Sequence, residues 1–256
     1  MRHIFVIGIG AGDPDHLTLQ AVKAIGRTDV FFILDKSEER QDLIGLRRRM
    51  LADHGRPGHR VVAAPDAERD RATPAYAAAV DDWRVRRADL VERLVAEHLG
   101  PGENGAFLVW GDPALYDSVI AVVDDVSNRG GVPFAYEVIP GISSVSALAA
   151  RHRTTLTRVG RPVQITTGRR LAEGFPEGVD DVVVMLDGRA AFAGIDPEGL
   201  EIHYGAYLGT PDEVLVSGPL AEAAPRIREL RERARERKGW IMDTYLLRRS
   251  DGGSDA

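Results

Sequence analysis

Residues 4–14 read Ile4-Phe5-Val6-Ile7-Gly8-Ile9-Gly10-Ala11-Gly12-Asp13-Pro14. The apolar run over 4–9 does not alternate with polar residues. That is the pattern of a parallel strand buried on both faces. The glycines that close it let the backbone turn sharply and approach a ligand closely. A dinucleotide fingerprint GxGxxG, read from Gly8, needs glycine at position 13, where Asp13 stands. An acid followed by Pro14 would repel a pyrophosphate and keep a helix from packing close. The stretch therefore opens a parallel sheet and disfavours a nicotinamide dinucleotide. A tight structural turn is the plain alternative to a ligand loop.

Working outward, strand and helix patterns alternate. Leu19, Val22 and Ile25 recur at helical spacing, and residues 30–34 form a second apolar run closed by Asp35. Leu43, Leu46, Met50 and Leu51 mark another helix, and residues 61–64 a weaker strand ended by Pro65. A long helical stripe follows in Tyr76, Val80, Trp83, Leu90, Leu94 and Val95. Residues 107–110 read as a strand, 119–126 as a helix and 136–139 as a strand. This βαβ alternation predicts a mostly parallel sheet with helices on both faces.

The second half changes character. Residues 163–166, 182–186, 202–207, 214–216 and 240–247 read as strands, with fewer and shorter helices between them, which favours a mixed sheet. The predicted domains are 1–141 and 142–256. Residues 226–238 read as a helix whose alternating Arg and Glu form a solvated face. The tail after Arg249 is Gly, Ser and Asp, expected to fray.

Apolar residues make up 44% and charged residues 28% of the 256, the balance of a soluble globular protein. The formal net charge of -6 argues against a nucleic-acid binder. There is no cysteine, so disulfides, thiolate nucleophiles and cysteine-based zinc sites are excluded. The seven His residues are scattered without metal-ligand spacing, so no metal is expected. The run at the start is interrupted by Gly8 too early for a signal peptide, and no stretch is long enough to span a bilayer. The expected setting is cytoplasmic.

Two further motifs join the first. Trp110-Gly111-Asp112-Pro113 ends one predicted parallel strand, and Pro140-Gly141-Ile142-Ser143-Ser144-Val145 follows another. Ligands of open α/β sheets bind at the carboxyl ends of the strands. Asp112 could meet a cationic cofactor or its ribose hydroxyls, or could cap a helix. The Pro-Gly run, taken alone, is a turn before a serine-capped helix.

Taken in order, these three motifs, with Leu17-Thr18-Leu19 and Asp29-Val30 after the first, resemble the tetrapyrrole (precorrin) methylases. Ala11 stands where that family often has proline. The resemblance extends to the 182–186 run and Gly209-Thr210-Pro211. It implies an α/β fold of two domains, an N-terminal mostly parallel sheet and a C-terminal mixed sheet, with a cofactor cleft between them. It also implies S-adenosyl-L-methionine as methyl donor, leaving as S-adenosyl-L-homocysteine, and a homodimer. Trp110, Gly111, Asp112, Leu115, Ser143, Ser144, Leu186 and Gly209 are the implied cofactor-binding residues.

The long segment over 36–104 and the run from Phe107 to Ser118 resemble the members that methylate precorrin-5 at C-1 and release acetate. Methyl transfer needs alignment and exclusion of water rather than an enzyme nucleophile. Deacetylation adds a demand for a proton acceptor or a held water. Asp35 falls where related methylases have a proposed catalytic aspartate; a strand-end turn acid beside Lys36 is the alternative. A polycarboxylate macrocycle needs cations, for which Arg47, Arg48, Arg49, Arg153, Arg158 and Arg161 are candidates. Other substrates within the family (another precorrin, diphthine, ribosomal RNA), a dehydrogenase and a non-catalytic nucleotide-binding module are the competing readings.

Overall fold

A computed structural model describes residues 1–35, 41–67 and 76–250. Contacts divide the chain into two units, Met1–Gly10 with Pro14–Ile142 and Ala11–Asp13 with Ser143–Ala256.

The first unit holds β1 (Arg2–Gly8), α1 (Leu19–Ile25), β2 (Val30–Asp35), α2 (Gln41–His54), β3 (Arg60–Pro65), α3 (Tyr76–His98), β4 (Asn104–Val109), α4 (Val119–Arg129) and β5 (Phe134–Ile139). The five strands form one parallel sheet in the order β3-β2-β4-β1-β5. Side chains alternate across a strand, so each strand feeds both faces. Ile4, Val6, Phe107 and Val109 join one core with α3 and α4, through Val91, Val95, Val122 and Val123. Phe5, Ile7 and Leu108 join another with α1 and α2, through Ala21, Ile25, Met50 and Leu51. Burial on both faces is why β1 and β4 carry no polar alternation. The helices after β1 and β4, neighbours in the sheet, thus pack on opposite faces. Such a reversal opens a crevice at the strands' carboxyl ends, where α/β sheets bind ligands.

The second unit holds α5 (Ser144–His152), β6 (Val163–Thr167), α6 (Gly168–Leu171), β7 (Asp181–Met185), β8 (Leu200–Ala206), β9 (Val214–Pro219), α7 (Leu220–Lys238) and β10 (Asp243–Arg249). The sheet order is β6-β7-β10-β8-β9, with only β6 and β7 parallel, so this sheet is mixed. Its core centres on Phe192, Tyr204 and Tyr245, with Phe192 edge-on to Tyr245 at 5.2 Å between centroids.

Three local expectations need correction. The last strand starts at Asp243 rather than 240, because Trp240 packs edge-on against Tyr207, 5.1 Å between centroids, and its carbonyl accepts the Tyr207 hydroxyl at 2.6 Å. Residues 226–238 are the end of a 19-residue helix, α7, that begins at Leu220, so the second half does not lack long helices. Nor is its charged face wholly solvated. Leu220, Ala223, Ile227, Arg231 and Ala234 form a buried stripe, and Arg231 lies within it because its guanidinium pairs with buried Asp243. Among the described residues, no helix is long and apolar enough to cross a membrane.

Candidate active site

The first two loops meet at the crevice described for the parallel sheet. Gly111 donates its N–H to the Gly10 carbonyl at 2.8 Å, and Gly10 returns one to Gly111 at 3.3 Å. The Pro-Gly turn after β5 closes on the same point. A Cβ on Gly8 would lie 2.6 Å from the Gly141 nitrogen, and one on Gly141 would lie 2.1 Å from the Gly111 carbonyl oxygen. No side chain fits there, so close approach of three backbones is the reason for glycine at 8 and 141. Gly111 itself has φ +66°, a conformation that favours glycine.

Asp112 fastens the junction. One carboxylate oxygen accepts the Ala114 N–H at 2.8 Å, and the other accepts the Gly141 N–H at 2.9 Å, across from the β5 loop. The helix-cap alternative is therefore corrected: the residue before α4 is Ser118, and Asp112 ties two loops together instead. Leu115 sits half-buried in the same turn, its N–H donated to the Asp112 carbonyl at 3.1 Å. Trp110 is half-buried against the α1–α2 core, with the Arg47 guanidinium over its ring, 5.1 Å from the centroid. Asp35 ends β2, in register with Pro65 of β3. The Asp35 side chain and Lys36 lie outside the described residues.

The loop is anchored from behind by groups that sequence reading missed. Arg87 of α3 is buried and donates to Asp66 at 2.9 Å, and also to the Ser118 hydroxyl. The Trp83 indole donates to the Ala67 carbonyl at 2.9 Å, with the Arg87 guanidinium 5.2 Å from its ring centroid. A lone arginine within an apolar helical stripe was the available signal.

In the second unit, Ser143 caps α5, its hydroxyl accepting from the Ser146 N–H at 3.2 Å, as the turn-and-cap alternative expects. The Ser144 hydroxyl lies 3.0 Å from that of Thr244 in β10. Leu186, just after β7, has φ +54° and is 65% exposed. A non-glycine residue in that region stores strain, which tends to mark functional positions. Asp187, next in the chain, holds the turn rigid. It is buried and accepts from the Ala191 N–H at 2.7 Å, the Arg189 N–H at 3.0 Å and the Tyr245 hydroxyl at 2.7 Å. Arg231 donates to the Asp187 carbonyl at 2.7 Å, and Tyr204 to Asp243 at 3.0 Å. Burial pushes both tyrosine hydroxyls well above the ordinary range, so they stay protonated donors. Gly209, at φ +75°, donates to Glu213 at 2.9 Å, and a Cβ on it would lie 2.6 Å from the Asp13 nitrogen. The loop over 11–13 is thus pressed against that over 208–210.

The candidate cations separate. Arg158 and Arg161 pair with Asp181 at 3.2 Å and Asp180 at 2.8 Å, at the amino end of β7 and away from Leu186. Arg153 is the exposed C-cap of α5, and Arg48 and Arg49 are exposed on α2. Among the described residues, no group of His, Asp and Glu could hold a metal ion.

A parallel α/β sheet with a reversal, and three glycine-bearing loops meeting at the carboxyl ends of its strands, is the arrangement at which α/β proteins bind ligands. Residues 3–224 match the family described as Tetrapyrrole (Corrin/Porphyrin) Methylases, and the chain belongs to that family of methyltransferases. Among its relatives is a precorrin-6A synthase [deacetylating] from Sinorhizobium sp, 49% identical over 97% of this chain and 96% of that one. A crystal structure of a cobalamin-synthesis-related protein (CobF) from Corynebacterium diphtheriae matches at TM-score 0.84 and 37% identity, covering 98% of this chain and 100% of that one. The uroporphyrin-III C-methyl transferase of Thermus thermophilus, solved with S-adenyl homocysteine, shares the fold at TM-score 0.58 and 22% identity, with 96% of each chain covered.

Proposed function

We propose that the protein methylates precorrin-5 at C-1, using S-adenosylmethionine, and releases the extruded two-carbon unit as acetate to give precorrin-6A. The observation that carries this reading is the 49% identity to the Sinorhizobium precorrin-6A synthase over 97% of the chain, a match that runs through the long segment between β2 and β4.

When bound, S-adenosylmethionine supplies an electrophilic methyl group on a sulfonium. Three features support such a ligand: backbone without a side chain at Gly111, an exposed apolar side chain at Leu186, and Asp13 where a pyrophosphate would need glycine. Trp110, Gly111, Asp112, Leu115, Ser143, Ser144, Leu186 and Gly209 would hold it. Asp112 does so indirectly, by fixing the loop that carries Gly111. Rigid loops suit a reaction whose demand is alignment, because little ordering remains to be done on binding. Asp35, at the carboxyl end of β2, is the proposed proton acceptor for deacetylation, where water adds to the acyl carbon and the carbon–carbon bond to the ring breaks. The active species is read as a homodimer.

The test is incubation with precorrin-5 and S-adenosylmethionine. Precorrin-6A, S-adenosylhomocysteine and acetate should appear in equal amounts, and Asp35→Asn should slow acetate release more than methyl transfer. Methylated product without acetate would place the protein with another member of the family. Failure of S-adenosylmethionine to bind in a calorimetric titration would remove the methyl-transfer reading.

A further inference from the structure

Strand β7 runs into a strained turn. Leu186, at φ +54°, and Ala190, at φ +59°, both adopt a left-handed conformation that non-glycine residues avoid. Such a turn persists only where its surroundings over-determine it. Here the Asp187 carboxylate does much of that. Oδ1 accepts the Arg189 N–H at 3.0 Å, and Oδ2 accepts the Ala191 N–H at 2.7 Å and the Tyr245 hydroxyl at 2.7 Å. The first two bonds lie within the turn and would move with it. Of the three, only the bond from Tyr245 ties the carboxylate to another strand.

Register places Tyr245 for this task. It pairs with Val184 of β7 on one side and with Tyr204 of β8 on the other. Glycine at the end of β6 makes room for the acid, since a Cβ on Gly168 would overlap Asp187 Oδ1. From α7, the exposed Arg235 donates to the Gly188 carbonyl, a second grip on the same turn. Tyr204 supplies an internal control. It is as buried as Tyr245, its ring centroid lies 6.3 Å away, and its hydroxyl also donates to a buried acid, at 3.0 Å. That acid is Asp243, which starts β10 and lies outside the turn. Removing either hydroxyl removes one buried bond to a carboxylate, but only the loss at Tyr245 reaches the residue beside Leu186.

We infer that Tyr245 and Arg235 are positioning residues for the methyl donor: gripping Asp187 and Gly188, they hold Leu186 in the left-handed conformation that S-adenosylmethionine meets. This rests on the proposed function for the ligand at Leu186.

Calorimetric titration with S-adenosylmethionine, with urea unfolding alongside, tests it. Tyr245→Phe should weaken binding by about five- to twentyfold, part of the loss expected for a hydrogen bond to a charged group. Tyr204→Phe should lower stability by a similar amount and leave affinity within about twofold of wild type. In a Leu186→Gly background, Tyr245→Phe should cost less than about twofold more, because the conformation it protects is already gone. Arg235→Gln leaves the core intact and should weaken binding about two- to threefold, which keeps the inference testable if Tyr245→Phe does not fold. Equal effects of the two tyrosine variants on affinity overturn the inference, since the hydroxyl would then serve the core alone. Full additivity of Tyr245→Phe with Leu186→Gly, or unaltered affinity in Arg235→Gln, also overturns it. A wild-type protein that does not bind S-adenosylmethionine defeats the proposed function and the inference together. Binding by the wild-type protein that Tyr245→Phe leaves unchanged defeats the inference alone.

Discussion

Replacing Arg87 with methionine should destabilise the protein by about 3 kcal/mol, the lower end of what breaking a buried ion pair costs. The Arg87 and Asp66 side chains are 6% and 1% exposed, with Nε 2.9 Å from Oδ1. Methionine fills most of the volume of the arginine stem, so the cavity contribution is small. The dominant loss is that of the buried guanidinium–carboxylate pair itself. The Ala67 N–H still reaches one Asp66 oxygen at 3.0 Å, which is why the low end applies. Midpoint shifts of about 2–4 °C per kcal/mol for a domain of this size give a fall of roughly 6–12 °C. Urea unfolding followed by circular dichroism would measure the free energy directly. The diagnostic step is the cycle with Asp66→Asn. If the pair is the source of the cost, the double variant should lose less than the sum of the singles by at least about 1 kcal/mol. Strict additivity, or a single-variant loss under about 1 kcal/mol, would refute the reasoning. Because Arg87 also holds Ser118, the same variant should weaken S-adenosylmethionine binding through the loop over 111–118.

Leu186→Gly removes a strained left-handed leucine, a relief of about 1 kcal/mol, while glycine adds a similar freedom to the unfolded chain. Stability should hence change little while S-adenosylmethionine affinity drops several-fold in a calorimetric titration; unchanged affinity would take Leu186 out of the cofactor site. Desolvation first, then the nearby His152 and Arg248, lower the His203 pKa from the ordinary 6.5, with Glu201 opposing. Below 6.5 the unfolded chain binds the proton before the folded one, so stability should be full above that pH and decline as pH falls toward the folded value. Chemical unfolding at pH 7.5 and 5.5 would show this, and His203→Gln should reduce the slope; an unaltered slope would assign it to other groups.

The parallel half was readable because its signals are local. An apolar run such as 4–9 states double-sided burial residue by residue, and a Gly-rich loop states a turn. The use of Asp112 was not readable, since its second partner, Gly141, is 29 positions away and is a backbone group with no sequence signature of its own. Arg231 was hidden for a different reason. Its neighbours on α7 are charged, and a single buried arginine looks like one more member of a solvated face until Asp243 is brought beneath it by β10. The kink of chain at Tyr207, φ +50°, likewise ended a strand that β-favouring residues would have extended. Asp35 was placed at a strand end by the closing of an apolar run, which the register with Pro65 reproduces for its backbone.

The glycine junction separates two kinds of change that the chain can accept. Between β2 and β4 the number of residues is unconstrained by the junction, because α2, β3 and α3 are added outside it and return the chain to the same place. Length can accumulate there without disturbing the junction. At Gly8 and Gly141 the tolerance is less than one methyl group. A lineage built on this junction is free to lengthen what surrounds the crevice and has no room to decorate its floor.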